Sequence, residues 1–246
     1  MSDLKCVVCG EKLTGIYWLD GWGNCACERH KSFRCYSCWR FIGKGSTYSP
    51  ITKQIGFRVD NERYICALCK DTCVNSTKEL NKSVDFVIDL LGKAGFKIVR
   101  EGIRDVKVIT REEMTKKSPG AEGLCVSYLC PNQPSKTTSE IFILNGLPKI
   151  RFEGVLAHEM LHYWVFYNGV DGGDCTEGFC NIGESLVHNY YASRAGSALA
   201  EHLRENANNN TEYYYGQKYI EQKNKLKKLG WEKYIKDILK RKKITP

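Results

Sequence analysis

The amino-acid sequence predicts an α+β protein in which a small cysteine-rich module precedes a larger domain of helices around a small mixed sheet. Nine of the thirteen cysteines lie within the first 73 residues, and the rest of the chain has an ordinary composition. That rest alternates short strand-like runs with segments of helical periodicity. With 42% hydrophobic and 11% aromatic residues among 246, the chain can fill a core. We therefore predict two domains, residues 1–75 and residues 76–246.

The cysteines of the first domain are spaced like metal ligands. Three pairs have two residues between their members, which lets two thiolates from one tight turn reach a single Zn²⁺ ion. These pairs are Cys6/Cys9, Cys35/Cys38 and Cys66/Cys69. Cys27 with His30 is the best fourth pair, and Cys25 is the alternative to Cys27. Four pairs predict two zinc ions with four protein ligands each, and such closed sites are structural.

The order of these pairs resembles that of a LIM domain, and the run Phe33-Arg34-Cys35-Tyr36-Ser37-Cys38 is similar to the centre of one. The resemblance implies that pairs one and two hold the first zinc and pairs three and four hold the second. The first site would then be Cys6, Cys9, Cys27 and His30, and the second would be Cys35, Cys38, Cys66 and Cys69. We expect this module to bind a protein partner or to cover a cleft of the larger domain.

The sequence of the larger domain predicts helices and short strands. Ser76 followed by Glu79 is a capping-box signature, and apolar residues at helical spacing follow it towards Gly92 or Gly95. A short helix is expected to begin near Thr110, and further helices are expected over residues 152–167, 176–193 and 197–205. A pair of basic amphipathic helices is expected within residues 218–243. The expected strands cover residues 96–99, 106–109, 124–129 and 139–144.

The expected helix over residues 152–167 contains His158-Glu159-Met160-Leu161-His162. Residues four apart lie on one helical face, so both imidazoles can bind one metal ion while Glu159 faces a water molecule at that metal. A catalytic zinc needs a third protein ligand. Glu177 is our leading choice and Glu184 the alternative, with Asn181 or His188 on the same face orienting the ligands.

Three segments resemble the peptidase domain of the LIM-containing, ubiquitin-activated peptidases that limit organ growth in plants. They are Ile141-Phe142-Ile143-Leu144-Asn145-Gly146-Leu147-Pro148, Leu156-Ala157-His158-Glu159-Met160-Leu161-His162 and Glu177-Gly178-Phe179-Cys180. The resemblance implies a gluzincin-like zincin fold with zinc bound by His158, His162 and Glu177. The plant proteins carry ubiquitin-interacting helices ahead of the LIM domain, whereas the first pair here begins at Cys6. We therefore do not expect ubiquitin-dependent activation.

The predicted activity is that of a zinc endopeptidase acting on a protein or peptide, with one catalytic and two structural zinc ions. Glu159 would take a proton from the zinc-activated water and pass it to the leaving amine. A further donor should stabilise the oxyanion. The candidates for this donor are His188, Tyr190, Tyr191 and residues 213–215. Of these, we count His188 among the catalytic residues. The strand at 139–144 could align an extended substrate or be an internal strand.

The distribution of charge and of apolar residues bears on the alternative functions and on the location of the protein. The net charge of +9 is concentrated in residues 218–243, where apolar residues at helical spacing indicate docked helices with a solvated lysine face. A nucleic-acid-associated zinc protein is therefore a weaker alternative. A non-catalytic adaptor is also weaker, because the motif retains Glu159. The sequence lacks a membrane span and a signal-peptide pattern, so we expect a cytoplasmic protein. The other cysteines are expected to be small buried hydrophobes: Cys73, Cys125, Cys130, Cys175 and Cys180.

Overall fold

The computed structural model describes residues 4–130, 132–171, 173 and 176–241, and the chain divides into two compact units. The first unit comprises the residues up to Asn75 together with Gly146–Lys149. The second comprises Ser76–Asn145 and the chain from Ile150 onwards. The break between Asn75 and Ser76 coincides with the change in cysteine content, whereas composition did not indicate the short second segment of the first unit.

The first unit contains little regular structure. Strands β1 (Trp18–Leu19) and β2 (Cys25–Ala26) pair antiparallel, as do β3 (Gly56–Arg58) and β4 (Tyr64–Cys66), which leads into the short helix α1 (Ala67–Lys70). Strands of two or three residues bury few side chains, and a small domain of this kind needs disulfides or metal ions to supplement its core. The described cysteines form no disulfide.

Gly146–Lys149 joins the first unit through its backbone. Pro148 forms an isolated antiparallel bridge with Cys73, and the Lys149 N–H donates to the Thr72 carbonyl at 2.8 Å. Gly146 adopts a φ of 73°, and a Cβ atom there would lie 2.9 Å from Val59 Cγ1. Glycine is therefore required at this turn for both its conformation and its size.

The second unit is mainly helical. Its helices are α2 (Thr77–Ala94), α3 (Arg111–Lys117), α4 (Lys149–Tyr167), α5 (Thr176–Ala195), α6 (Ala198–Asn209), α7 (Lys218–Leu229) and α8 (Trp231–Leu239). Helices α2 and α3 begin with complete capping boxes at Ser76 and Thr110, as the sequence predicted. No helix among the described residues has the length and apolar character that crossing a bilayer requires.

The sheet of the second unit is small and mixed, which confirms the α+β prediction. It consists of β5 (Ile103–Ile109), β6 (Gly123–Tyr128) and β7 (Thr138–Leu144) in the order β5-β7-β6. Strand β7 runs parallel to β5 and antiparallel to β6. Because β7 is paired on both sides, it is an internal strand, and the interpretation of residues 139–144 as a substrate-aligning edge is wrong.

The strand predicted at residues 96–99 is absent from this described segment. Gly95 ends α2 in a left-handed conformation, and the Phe96 N–H donates back to the Leu91 carbonyl. Phe96 and Ile98 are both buried, which produces the alternating pattern that suggested a strand. The alternation arises from packing on helices, because the Phe96 ring contacts the rings of Trp164, Phe179 and Trp231.

The C-terminal helices dock as their periodicity predicted. Tyr219 of α7 and Tyr234 and Ile238 of α8 are fully buried. The Tyr234 hydroxyl donates to the buried Gln222 side chain at 3.0 Å, and the Tyr219 hydroxyl lies 3.0 Å from Ser185 Oγ on α5. The basic residues thus occupy the outer face of a helical pair that forms part of the core.

A buried carboxylate links three helices. Glu153 of α4 is fully buried and accepts hydrogen bonds from Ser83 of α2 at 2.8 Å and from Tyr191 of α5 at 2.6 Å. Removing one donor would leave a buried acceptor atom undersatisfied, which costs about 1–3 kcal/mol.

We expect Tyr191→Phe to lower the free energy of unfolding by about 1–3 kcal/mol in denaturant titrations. Tyr190→Phe is the matched control, because its ring also packs on Phe86 while its hydroxyl has no contact with Glu153 among those described. Equal stability of the two variants would contradict a stabilising role for the Glu153 hydrogen bonds.

Candidate metal centre and active site

The His-Glu-x-x-His motif lies in the middle of α4, which is buried along most of its length. His158 and Glu159 are buried, and His162 is partly buried. The Nε2 atoms of His158 and His162 face each other at 3.1 Å. Two nitrogens bound to one tetrahedral zinc ion at about 2.0–2.1 Å would lie about 3.3 Å apart. The spacing of the two imidazoles therefore fits a shared metal ion.

Glu177 of α5 completes a set of three donors. Its Oε2 lies 3.2 Å from His158 Nε2, and its Oε1 lies 3.5 Å from His162 Nε2. Burial alone would raise the pKa of Glu177, but the two imidazoles outweigh this effect and lower that pKa. The ionised carboxylate and two imidazole nitrogens form a donor set that suits zinc.

Asn181, one turn beyond Glu177, orients the first histidine. The Nδ1–H of His158 donates to Asn181 Oδ1 at 2.8 Å, which leaves the Nε2 lone pair directed at the other donors. The same amide donates from Nδ2 to the backbone carbonyl of Tyr215 at 2.7 Å. Asn181 is predicted from the sequence to orient a ligand, and its position against His158 fits that role.

The Glu159 side chain contacts strand β6 at the edge of the sheet. Burial raises the pKa of the Glu159 carboxyl, although the imidazoles of His158 and His162 and the backbone N–H of Cys125 on β6 oppose this shift. A Cβ atom at Gly123 would lie 2.6 Å from Val155 Cγ1 and 2.8 Å from Glu159 Cγ. Glycine at the start of β6 thus permits the strand to lie directly on the motif helix.

Two further glycines bring α5 close to its neighbours. A Cβ atom at Gly183 would lie 2.8 Å from the Ala157 carbonyl oxygen on α4, so these helices cross at backbone contact. A Cβ atom at Gly178 would lie 2.6 Å from the backbone oxygen of Lys218, at the start of α7. Gly178 and Gly183, which follow Glu177 on α5, therefore allow α4 and α7 to approach the donor cluster closely.

Glu184 and His188 lie further along α5. Glu184 Oε1 is 3.8 Å from His188 Nε2, and both side chains lie against Gly154, one turn before His158 on α4. His188 is 1% exposed, and neither ring nitrogen has a hydrogen-bond partner among the described residues. Burial lowers the pKa of His188. Glu177 rather than Glu184 therefore adjoins the two imidazoles, and the catalytic role of His188 stays a prediction.

Sequence reasoning treated Cys180 as a packing residue, but the structure places it at the cluster. Its sulfur and one nitrogen each of His158 and His162 lie within 4.8 Å of one another. The signal in the sequence was its position three residues after Glu177, on the same helical face. Cys73 is buried and Cys125 and Cys130 are partly buried, none of them in a metal-type cluster, whereas Cys175 lies outside the described residues.

The cysteines of the first unit form two groups that could hold metal ions. Cys6, Cys9, Cys27 and His30 form one, and Cys35, Cys38, Cys66 and Cys69 form the other, each with its donor atoms within 4.8 Å. The Sγ atoms of Cys38 and Cys66 lie 3.8 Å apart, the separation expected for sulfurs about 2.3 Å from one tetrahedral zinc. Cys27 Sγ lies 3.2 Å from His30 Nδ1, whereas Cys25 belongs to neither group.

A profile of the DA1-like family, described as Protein DA1, matches residues 104–240, more than half of the chain. The chain belongs to the DA1-like family. The Arabidopsis thaliana relatives described below support the relationship to plant proteins that the sequence motifs indicated. The family match extends from β5 to the end of α8, so it includes the donor cluster of α4 and α5 but not the cysteine groups of the first unit.

Three Arabidopsis thaliana proteins are similar to this DA1-like chain. Protein DA1-related 7 is 24% identical over 239 residues, covering 81% of this chain and 41% of that protein. Protein DA1-related 2 is 23% identical, covering 65% and 36%, and Protein DA1-related 1 is 24% identical, covering 71% and 36%. The chain spans about two fifths of the length of these curated relatives. No solved structure matches it significantly.

We expect Gly123→Ala to lower the unfolding midpoint, because the added methyl group overpacks the contact with Glu159 and costs about 1–3 kcal/mol. Gly92→Ala is the control, since a Cβ atom at Gly92 meets nothing within 4 Å and alanine favours a helix by about 1 kcal/mol. Thermal unfolding should separate the two variants in opposite directions. A stabilised Gly123→Ala protein would contradict the tight contact between β6 and α4.

The first cysteine group allows a matched test. Cys27→Ser should lose one equivalent of zinc in elemental analysis, because it removes one of four donors, whereas Cys25→Ser should keep the wild-type content. Loss of zinc from Cys25→Ser alone would show that Cys25 is the ligand.

Proposed function

We propose that this DA1-like protein is a zinc-dependent peptidase. The convergence of His158, His162 and Glu177 at metal-ligand spacing, with Glu159 directly beside them on α4, carries this proposal. Metal ligands alone would suit a structural site, but a structural site needs no neighbouring buried carboxylate. A buried acid adjacent to two imidazoles and a carboxylate that could hold a metal ion is the arrangement that metal-assisted hydrolysis requires.

Each side chain then has a defined task. His158, His162 and Glu177 would hold the ion, and Asn181 would keep the His158 lone pair directed at it. When bound, zinc supplies Lewis-acid chemistry that activates water and polarises a carbonyl group. Glu159 would accept a proton from the attacking water and return it to the leaving amine.

The free edge of β6 is the segment that we propose for substrate alignment. In the described part of the chain, β6 pairs with a strand on its β7 side alone, so one edge of the sheet stays open. The contact between Gly123 and Glu159 brings this edge next to the proposed base. An extended peptide added to such an edge would form main-chain hydrogen bonds that are independent of its sequence.

The cysteine module would hold two structural zinc ions and either bind a protein partner or cover the cleft. Its two clusters support the first part of this proposal through their donor chemistry and spacing. Seven cysteines in these two metal-type clusters, with no disulfide among the described cysteines, also favour a reducing, cytoplasmic location.

Metal content and cleavage of a peptide library test the proposal on the same samples. Wild type should contain three zinc ions, His162→Ala two, and Glu159→Gln three. Glu159→Gln should lose at least about 10²-fold in cleavage rate, because the amide cannot accept the proton. His202→Ala on α6, outside the donor cluster, is the matched control and should retain both zinc and activity.

Two results would overturn the peptidase proposal. Two zinc ions in every variant would show that α4 and α5 hold no metal. Wild-type cleavage by Glu159→Gln would show that another protein or another residue performs the hydrolysis. Absence of cleavage with two zinc ions throughout would instead favour an adaptor that works through its cysteine module.

A further inference from the structure

Hydrolysis of a peptide needs a donor for the negative charge that develops on the carbonyl oxygen, and several side chains near α5 could provide one. Two of these side chains contact groups outside the donor cluster. Tyr191 donates to the buried Glu153, and Tyr190 packs on Phe86 with Arg194 over its ring. His188 is enclosed beside Glu184 and Gly154. These three candidates therefore face groups other than the donor cluster.

Tyr215 faces the donor cluster. Its ring stacks near that of His158, with 6.4 Å between centroids and 25° between planes. About half of the residue is exposed, so one side adjoins a metal ligand and the other is open to an incoming substrate. The neighbouring Tyr213 and Tyr214 are equally exposed but pack on each other, and Lys218 lies over the Tyr213 ring.

The backbone that carries Tyr215 is fixed in several ways. Residues Tyr213–Gln217 form a turn of π-helix, a rare conformation that is frequent at functional sites. The Tyr215 N–H donates to the Glu212 carboxylate at 3.0 Å, and the Tyr215 carbonyl accepts from Asn181 at 2.7 Å. A Cβ atom at Gly216 would lie 2.6 Å from the Asn210 carbonyl carbon. These contacts fix the backbone from which the Tyr215 ring projects, and a donor on a fixed backbone needs little reorganisation during a reaction.

Asn181 couples this turn to the metal centre. The one amide side chain binds both His158 Nδ1 and the Tyr215 carbonyl, so the ring of the ligand and the ring of the tyrosine share a support.

We propose that the Tyr215 hydroxyl donates a hydrogen bond to the substrate carbonyl oxygen as that oxygen becomes negatively charged. This inference rests on the proposed peptidase function and assigns to Tyr215 a catalytic role in the same site. The residue forms and breaks no covalent bond, and its proton stays on the hydroxyl throughout.

Tyr215→Phe tests the proposal in the full-length protein, because it removes the hydroxyl and keeps the stacked ring. We expect kcat on the best-cleaved library peptide to fall about 10²–10³-fold while KM changes little. Zinc content and thermal stability should match wild type. Tyr214→Phe removes a hydroxyl of equal exposure from the adjacent residue and should keep the wild-type kcat.

A phosphinic peptide with the same sequence provides a second measurement, because its tetrahedral group resembles the charged intermediate. Its affinity for Tyr215→Phe should fall by about the factor lost in kcat/KM, as expected of a transition-state analogue. An unchanged kcat in Tyr215→Phe, or an equal loss in Tyr214→Phe, would overturn the assignment. Loss of zinc from Tyr215→Phe would also overturn it and show a structural role. Failure of wild type to bind a third zinc would refute the peptidase proposal itself.

Discussion

The contact between the His158 and His162 Nε2 atoms is the constraint on which the second unit depends. Two imidazole nitrogens at 3.1 Å, with a carboxylate beside both, lie between helices that are otherwise largely apolar. Lone pairs that face each other repel unless a cation or a proton separates them, and burial strengthens that repulsion. A metal ion bound here would resolve the conflict and use all three donors. The core around α4 is therefore built to support a charged centre as well as to exclude water.

Small residues make this centre geometrically feasible. Gly183 lets α5 approach the α4 backbone, and Gly178 admits the start of α7. Because both follow Glu177 on one helix, the seven residues 177–183 set how deeply its carboxylate reaches towards the imidazoles. Larger side chains at these glycines would separate the helices and move the third donor away. Packing density and metal geometry are thus two consequences of the same backbone contacts.

The parts of this protein that sequence reasoning could find are those determined by local spacing. The positions of His158 and His162 follow from helical periodicity, and the Cys35/Cys38 turn follows from the two residues inside it. Long-range pairing carries no such signature. Residues 96–99 have strand-like alternation but pack on aromatic rings, and residues 139–144 occupy the centre of the sheet rather than its edge. Tyr215 is distant in sequence from His158, His162 and Glu177, and it meets His158 through the stacking of their rings and through the Asn181 amide.

Different structural elements hold Glu159 and Tyr215 on the two sides of the donor cluster. Glu159 is held by its own helix and by the Cys125 N–H of β6, so the acid and the sheet edge are positioned together. Tyr215 is held by a turn between α6 and α7, through Asn181 and the crowded Gly216. Proton transfer and charge stabilisation would consequently rely on separate elements that meet at His158 and Glu177. In such an arrangement α7 would support catalysis indirectly, because its docking on α5 keeps the Tyr215 turn beside His158 and Glu177.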